Sequence, residues 1–272
     1  MDANFYVDFE NNFRGSRDQI RDILSNYDGL IQYILESDKQ PTLLDIGCGR
    51  GEWLQKCSEL GFESTGIEIN PYMASICKDM GLNIFEGDAL HLLKNLPDNS
   101  FSFITAFHII EHISFDSIDN ILIECKRLLK ENGLLILETP SIDNLSISSR
   151  LFYIDPTHIN PINPDLLAFT LGRIGYDMIK LFYINAGPLQ NEDQYSLTRI
   201  FNGVAQDLAL IATKSKISSL QLAKNKFWQN SLKIGPTTIE SAIQFDHQLR
   251  LGLVNNEEKL NSLRLRIYQL EK

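Results

Sequence analysis

The sequence predicts an α/β protein: a doubly wound, largely parallel sheet with helices on both faces. Three observations predict it. From residue 42 onward, short apolar runs alternate with amphipathic helical stretches, as in consecutive βαβ units. The first run, TLLDIG, enters a glycine-rich turn and a helix opens at once. Two later runs, 178–185 and 207–213, have no obvious helix between them, which suits an antiparallel pair at a sheet edge.

Taken in order, residues 16–36 keep apolar groups at a helical period, from Ile20 through Ile34, and Ser16 can cap the start. Strands follow at TLLDIG, FESTGIEIN, LNIFEGD, FSFITAFHII and NGLLILETP. The helices between them are GEWLQKCSELG, PYMASICKDMG with proline in its first turn, and 115–130. After the strands MIKLFYIN and DLALIAT come helices at 217–234 and 237–252, broken at Gly235-Pro236. From 253, Leu253, Leu260, Leu263, Ile267 and Leu270 fall on three- and four-residue steps with Asn256 on the same seam. That spacing fits the onset of a coiled coil, and equally an amphipathic helix packed on its own domain. The domain reading is therefore an N-terminal helical arm (1–40), a main α/β domain (41–214), C-terminal helices (215–252) and a coiled-coil start (253–272).

The 272 residues are 43 % hydrophobic and 22 % charged, enough apolar material for one large core. With a net charge of −10 and no basic run, a nucleic-acid backbone is excluded as the main partner. Four scattered cysteines without a CxxC pair read as small apolar residues of a reducing compartment. No signal peptide and no membrane span is expected, and the chain reads as cytoplasmic.

The turn Gly47-Cys48-Gly49-Arg50-Gly51 lets a ligand approach the main chain, and the following helix offers free N–H groups to an anion. Dinucleotide enzymes use a similar loop, but here the spacing is GxGxG. Asp45 lies at the strand end, Glu68 closes the second strand about 20 residues on, and Asp88-Ala89 follows the third. An acid at 68 can accept both hydroxyls of a ribose; together the three suit an adenosine with a short zwitterionic tail.

LDIGCGRG, GIEIN, EGDAL and PDNSFSFITAFHIIEHI, in that order, resemble the successive motifs of class I S-adenosylmethionine-dependent methyltransferases. The resemblance covers about residues 40–213. It implies a Rossmann-like sheet of seven strands with the last one antiparallel, and S-adenosyl-L-methionine as cofactor. It also implies that Gly47 and Gly49 pass the methionine portion and Asp45 orients its amine. Glu68, with Ile69 and Asn70 beside it, would hold the ribose; Asp88 and Ala89 would face the adenine; Phe107 and His108 would end strand four under the sulfonium. Cys48 is a small filler of the cofactor loop. Arg14 could clamp the methionine carboxylate bidentately, or be a surface arginine beside Glu10.

FENNFRGSRDQI, HIIEHI, LETPS and FYIDPTHINP look like methyltransferase domains encoded with bacterial surface-polysaccharide genes, some of which cap lipopolysaccharide O-antigen chains. That narrower likeness implies methylation of a terminal sugar, on a hydroxyl or a phosphate. It also implies a coiled coil that joins copies of the chain, and peripheral attachment to a glycan-synthesis complex at the inner face of the membrane. Ser141 departs from the asparagine usual in that group. A small metabolite or a quinone is the alternative acceptor; a further alternative is an assembly module working through its C-terminal tail.

Two prolines stiffen the stretch 151–161, which falls where a loop can roof the methyl group. A sugar hydroxyl must lose its proton, and histidine is the matched base. His158 is the first candidate, with Asp155 orienting its other nitrogen. His108 and His112 compete, and Glu111 or His112 could serve in acid-base chemistry or orient the acceptor; the three form HxxEH, which follows a strand directly rather than lying on a long helix, so no metal is expected. Tyr6 and Tyr153 could line the acceptor site.

Overall fold

A computed structural model describes residues 9, 12–187, 196–225 and 232–270. Ser16 caps helix α1 (Arg17–Leu24) reciprocally: its hydroxyl accepts from Gln19 N–H, and the Gln19 amide oxygen accepts from Ser16 N–H. The expected single helix over 16–36 is broken by a 3₁₀ turn, Ser25–Tyr27, before α2 (Asp28–Ser37). The cause is tertiary. Asn26 and Tyr27 are fully buried, and their polar atoms bond to distant strands rather than to solvent.

The main domain then alternates as expected: β1 (Thr42–Ile46), α3 (Glu52–Glu59), β2 (Glu63–Glu68), α4 (Pro71–Asp79), β3 (Asn83–Glu86), α5 (Ala89–Leu93), β4 (Phe101–Phe107), α6 (Phe115–Leu128) and β5 (Leu129–Pro140). Strand β5 begins three residues before the apolar run, because Leu129 already pairs with Phe101. Next come α7 (Leu145–Ser149), a 3₁₀ turn at Leu151–Ile154, α8 (Pro164–Ile174), β6 (Ile179–Ala186), α9 (Leu197–Asn202) and β7 (Ala205–Thr213). Helix α9 corrects the expectation of a helix-free connection; Ser196 caps it. The chain ends with α10 (Lys216–Lys224) and α11 (Thr238–Leu270).

The seven strands form one sheet in the order β3-β2-β1-β4-β5-β7-β6, with β7 antiparallel to both neighbours. One buried layer, on the side of α1–α3, holds Tyr27, Trp53, Phe103 and Phe107; the other, under α6 and α8, holds Ile104, Leu122, Leu135 and Leu171. A sheet with both faces covered needs largely apolar strands, and β4 is buried at every position.

The tail differs from its expected layout. The helix predicted over 217–234 ends at Lys224, and residue 234 instead forms a bridge with Ile184 on β6. The segments 237–252 and 253–272 are one helix through Leu270, 33 residues long. Its described side chains from Leu249 to Ile267 are exposed. Among the described residues, no helix is long and apolar enough to cross a membrane.

Candidate active site

A cleft of about 530 Å³ opens where β1, β2 and β4 end. Its floor is the glycine turn. Gly47 and Cys48 donate their N–H groups to the Ile67 carbonyl, at 2.8 and 3.1 Å, which folds the turn back over β2. Gly47 has φ +70°, and a Cβ there would overlap the Ile109 side chain, so both the backbone and the packing favour glycine. Glu68 faces the turn: one carboxylate oxygen accepts from Gly49 N–H at 2.8 Å, the other from Asn70 N–H at 2.7 Å. Asp88 caps α5 through His91 N–H at 2.9 Å and stands at the far rim beside Ala89. Arg14 comes from the N-terminal arm, its Nη1 4.0 Å from where a Gly49 Cβ would sit.

Of the residues expected to bind cofactor, Arg14, Gly47, Gly49, Glu68, Ile69, Asp88, Ala89 and His108 line this cleft. Three do not. Phe107 is turned into the core, stacked on Tyr27 at 5.1 Å and edge-on to Trp53 at 5.3 Å, because successive strand residues face opposite sides. Cys48 is buried against Cys77; that hydrogen bond and burial push its thiol far up, so it is no nucleophile. Asp45 lies beneath the turn, 3 % exposed, accepting from Thr105 hydroxyl at 2.7 Å. Burial raises its carboxyl to about 7, with the Thr105 bond and the Arg14 charge pulling the other way.

His108 occupies the left-handed region, φ +53°, and so turns from the strand toward the carboxylates around it. Its Nδ1 lies 3.3 Å from Glu111, its Nε2 3.3 Å from Glu138 and 3.8 Å from Asp207. Burial alone would lower the imidazolium; Glu111, Glu138 and Asp207 together hold it well above the usual histidine range. His108 is thus a cation with both nitrogens engaged, not a base. Burial pushes Glu111 up, but the His108 partner prevails and leaves it below the usual carboxylate range. Tyr27 hydroxyl donates to Glu138, and Asn185 donates to Glu138 at 3.4 Å and Asp207 at 2.8 Å.

Sequence reasoning missed Tyr27, Glu138, Asn185 and Asp207. A usable signal existed: Glu138 is the lone acid ending the apolar run LLILE, and Asp207 the lone acid opening DLALIA.

The proline-bounded stretch is pinned onto the 3₁₀ turn Ile110–His112. Ile159 and Asn160 both donate N–H to the Glu111 carbonyl at 3.0 Å. It contributes Thr157 to the cleft wall, next to His112. His158 does not line the cleft, and the expected hydrogen bond between its ring and Asp155 is not formed. His158 Nδ1 contacts the Phe152 carbonyl at 2.6 Å, and its Nε2 stays 3.9 Å from Asp155 and from Glu111. Asp155 instead accepts from Thr157, N–H at 2.8 Å and hydroxyl at 2.6 Å. Glu111 is fully buried behind the wall, accepting from Thr139 hydroxyl at 3.1 Å. Tyr153 is 63 % exposed and outside the cleft; Tyr6 lies outside the described residues.

Donor atoms of Glu111, His112 and His158 lie within 4.8 Å of one another, as do those of His108, Glu138 and Asp207. The second set is accounted for as an ion-paired imidazolium. In the first, both Nδ1 atoms already have oxygen partners.

A family model described as a methyltransferase domain matches residues 18–181. A SAM-dependent methyltransferase from Archaeoglobus fulgidus superposes with TM-score 0.65 at 30 % identity, over 77 % of this chain and 99 % of that one. Phosphoethanolamine N-methyltransferase 2 of Haemonchus contortus, solved with S-adenosyl-L-methionine, shares the fold at TM-score 0.51 and 16 % identity, over 77 % of this chain and 60 % of that one. Among curated proteins, the ubiquinone biosynthesis O-methyltransferase of Candida albicans is 27 % identical over 124 residues, 43 % of this chain and 37 % of that one. The enzyme of the same name from Maricaulis maris is 31 % identical over 102 residues, 36 % of this chain and 39 % of that one. The aligned parts span about two-fifths of these curated relatives' length.

Proposed function

We propose, from the premise that the chain belongs to the S-adenosylmethionine-dependent methyltransferase family, that it moves a methyl group onto a hydroxyl oxygen of a small acceptor. The cleft fits that cofactor: the glycine turn lines it with Gly47 and Gly49, which carry no side chain into it, and Glu68 presents a carboxylate at the strand end. On our reading Arg14 meets the carboxylate of its methionine portion, Glu68 the ribose, and Asp88 with Ala89 the adenine. When bound, the cofactor supplies an electrophilic methyl on a good leaving group. The chain's own task is then to align an acceptor oxygen and take its proton.

One observation carries the oxygen reading: His112 and Thr157 share one cleft with the glycine turn and Glu68. A hydroxyl needs such a base; an anionic phosphate needs cations. Among the described residues the cleft wall has one arginine and no lysine, and the His108 imidazolium that also lines it already faces Glu111, Glu138 and Asp207. The names of the curated relatives support a small or quinone-type acceptor over a glycan end. A terminal sugar hydroxyl remains the second reading, since the stretch 151–161 that carries that likeness supplies Thr157. On the same footing we propose a homo-oligomer joined through α11.

The test is label transfer from methyl-labelled cofactor to a catechol, methyl glucoside or glucose 1-phosphate. Transfer to the catechol is expected, to the glucoside on the second reading, and none to the phosphate. Cofactor binding without transfer to any of them would sink the oxygen reading; absence of cofactor binding by calorimetry would sink the whole assignment.

A further inference from the structure

Asp155, Thr157 and His112 form a chain whose hydrogen positions follow from donors and acceptors alone. Thr157 Oγ1 lies 2.6 Å from Asp155 and 2.7 Å from His112 Nδ1. The carboxylate can only accept, so the hydroxyl proton points at Asp155. The hydroxyl oxygen therefore faces His112 with its lone pair, and Nδ1 must carry the proton. Neutral imidazole has one N–H, so Nε2 keeps a bare lone pair. His158 resembles it in tautomer, because the Phe152 carbonyl also requires a donating Nδ1, but His158 stands behind the cleft wall.

We propose that His112 Nε2 is the base of the proposed methyl transfer, and that Thr157, held by Asp155, is the positioning residue that fixes its tautomer. This rests on the methyltransferase reading above. In the step, the acceptor's hydroxyl proton passes to Nε2 and its oxygen lone pair forms the new C–O bond. The electron pair of the broken C–S bond leaves with the neutral thioether. Thr157 transfers no proton. It aims the ring and stabilises the doubly protonated form that follows, in the way a buried acid serves other base histidines.

The groups facing His112 support a base that is neutral beforehand. Burial, His158 and the cationic His108 push its pKa down, while Glu111 and Asp155 oppose them. The ring edge meets His158 at 4.6 Å between centroids.

The test has two readouts. In uniformly ¹⁵N-labelled protein, long-range ¹H–¹⁵N correlation spectra report each histidine tautomer, with His112→Gln assigning the peaks. Wild type should show His112 protonated at Nδ1. Thr157→Val should move it toward the Nε2–H form, and Thr157→Ser should restore the wild-type pattern. With the panel acceptor that turns over, Thr157→Val should lower kcat by about 10- to 100-fold and shift the acid limb of the pH profile. Its cofactor Kd should be unchanged, and Thr157→Ser should stay within about threefold. An Nε2–H tautomer in wild type overturns the proposal, even if Thr157→Val fails to fold. So does activity lost to a chelator and restored by a divalent cation, because His112 would then be holding a cation with that lone pair. If cofactor binds but no acceptor turns over, the oxygen reading fails while the spectra still decide the tautomer.

Discussion

Asp45 is where residue-scale chemistry is most exposed to test. The residue is 3 % exposed, and burial outweighs Thr105 and Arg14 to raise its carboxyl from 3.8 to about 7. A folded value above the unfolded one means the acid stabilises the fold fully below about 3.8, and that this is lost as pH climbs through about 7. Ionised at pH 8, it costs at most about 4 kcal/mol by the 1.36 kcal/mol-per-unit conversion. Asp45→Asn should therefore be more stable than wild type at pH 8, with the gap closing toward pH 4 in urea melts. An equal gap at both pH values would contradict it. The residue types of the site were legible, because strand-end acids and a glycine turn are set by local chemistry. What could not be read was which ring nitrogen is free. That is decided by Phe152 and Thr157 through the path of a loop, so the eye falls on His158 when His112 faces the cleft.

At the scale of elements, the break in the first helix has a functional consequence. The 3₁₀ turn at Ser25–Tyr27 brings Tyr27 under β5, where its hydroxyl donates to Glu138 and its ring stacks on Phe107. Glu138 in turn holds His108, so the N-terminal arm is tied to the acid cage beside the cleft. Tyr27→Phe keeps the stack and removes the donor, leaving a buried carboxylate oxygen short of a partner. We expect a loss of about 1–3 kcal/mol in urea unfolding, and a His108 titration midpoint moved upward in NMR, since the Glu138 charge is then no longer shared with the Tyr27 hydroxyl. An unchanged midpoint would show that the arm and the cage are independent. Sequence period could not reveal this break, since the apolar spacing runs straight through it. Helix α8 is the opposite case. Asn163-Pro164 at its start and left-handed Gly175 at its end are plain signals. Its period is blurred, because Leu166 and Phe169 point outward while Leu167 and Leu171 are buried.

For the whole molecule, the alternation of strands and helices was enough to give the sheet, and with it the cleft at the strand ends, because parallel strands joined by helices leave few topologies. The tail obeys a different rule. Helix α11 runs 33 residues, and Leu253, Leu260, Leu263 and Ile267 on it are each more than half exposed. A lone helix cannot hold its end half by hydrogen bonds alone, since most helical stability in water comes from packing one face. Leu249 extends the same three- and four-residue steps toward the domain, and Asn256 sits on the seam. A polar seam residue is tolerated best where two copies align it in register, which favours a parallel pair. We therefore expect a dimer by sedimentation equilibrium at micromolar concentration, converted to monomer by Leu260→Asp with Leu263→Asp, with cofactor affinity unchanged because the seam lies far from the glycine turn in the chain. A wild-type chain that sediments as a monomer would mean that this seam needs some other partner. A dimer untouched by the double substitution would place the contact elsewhere on the surface.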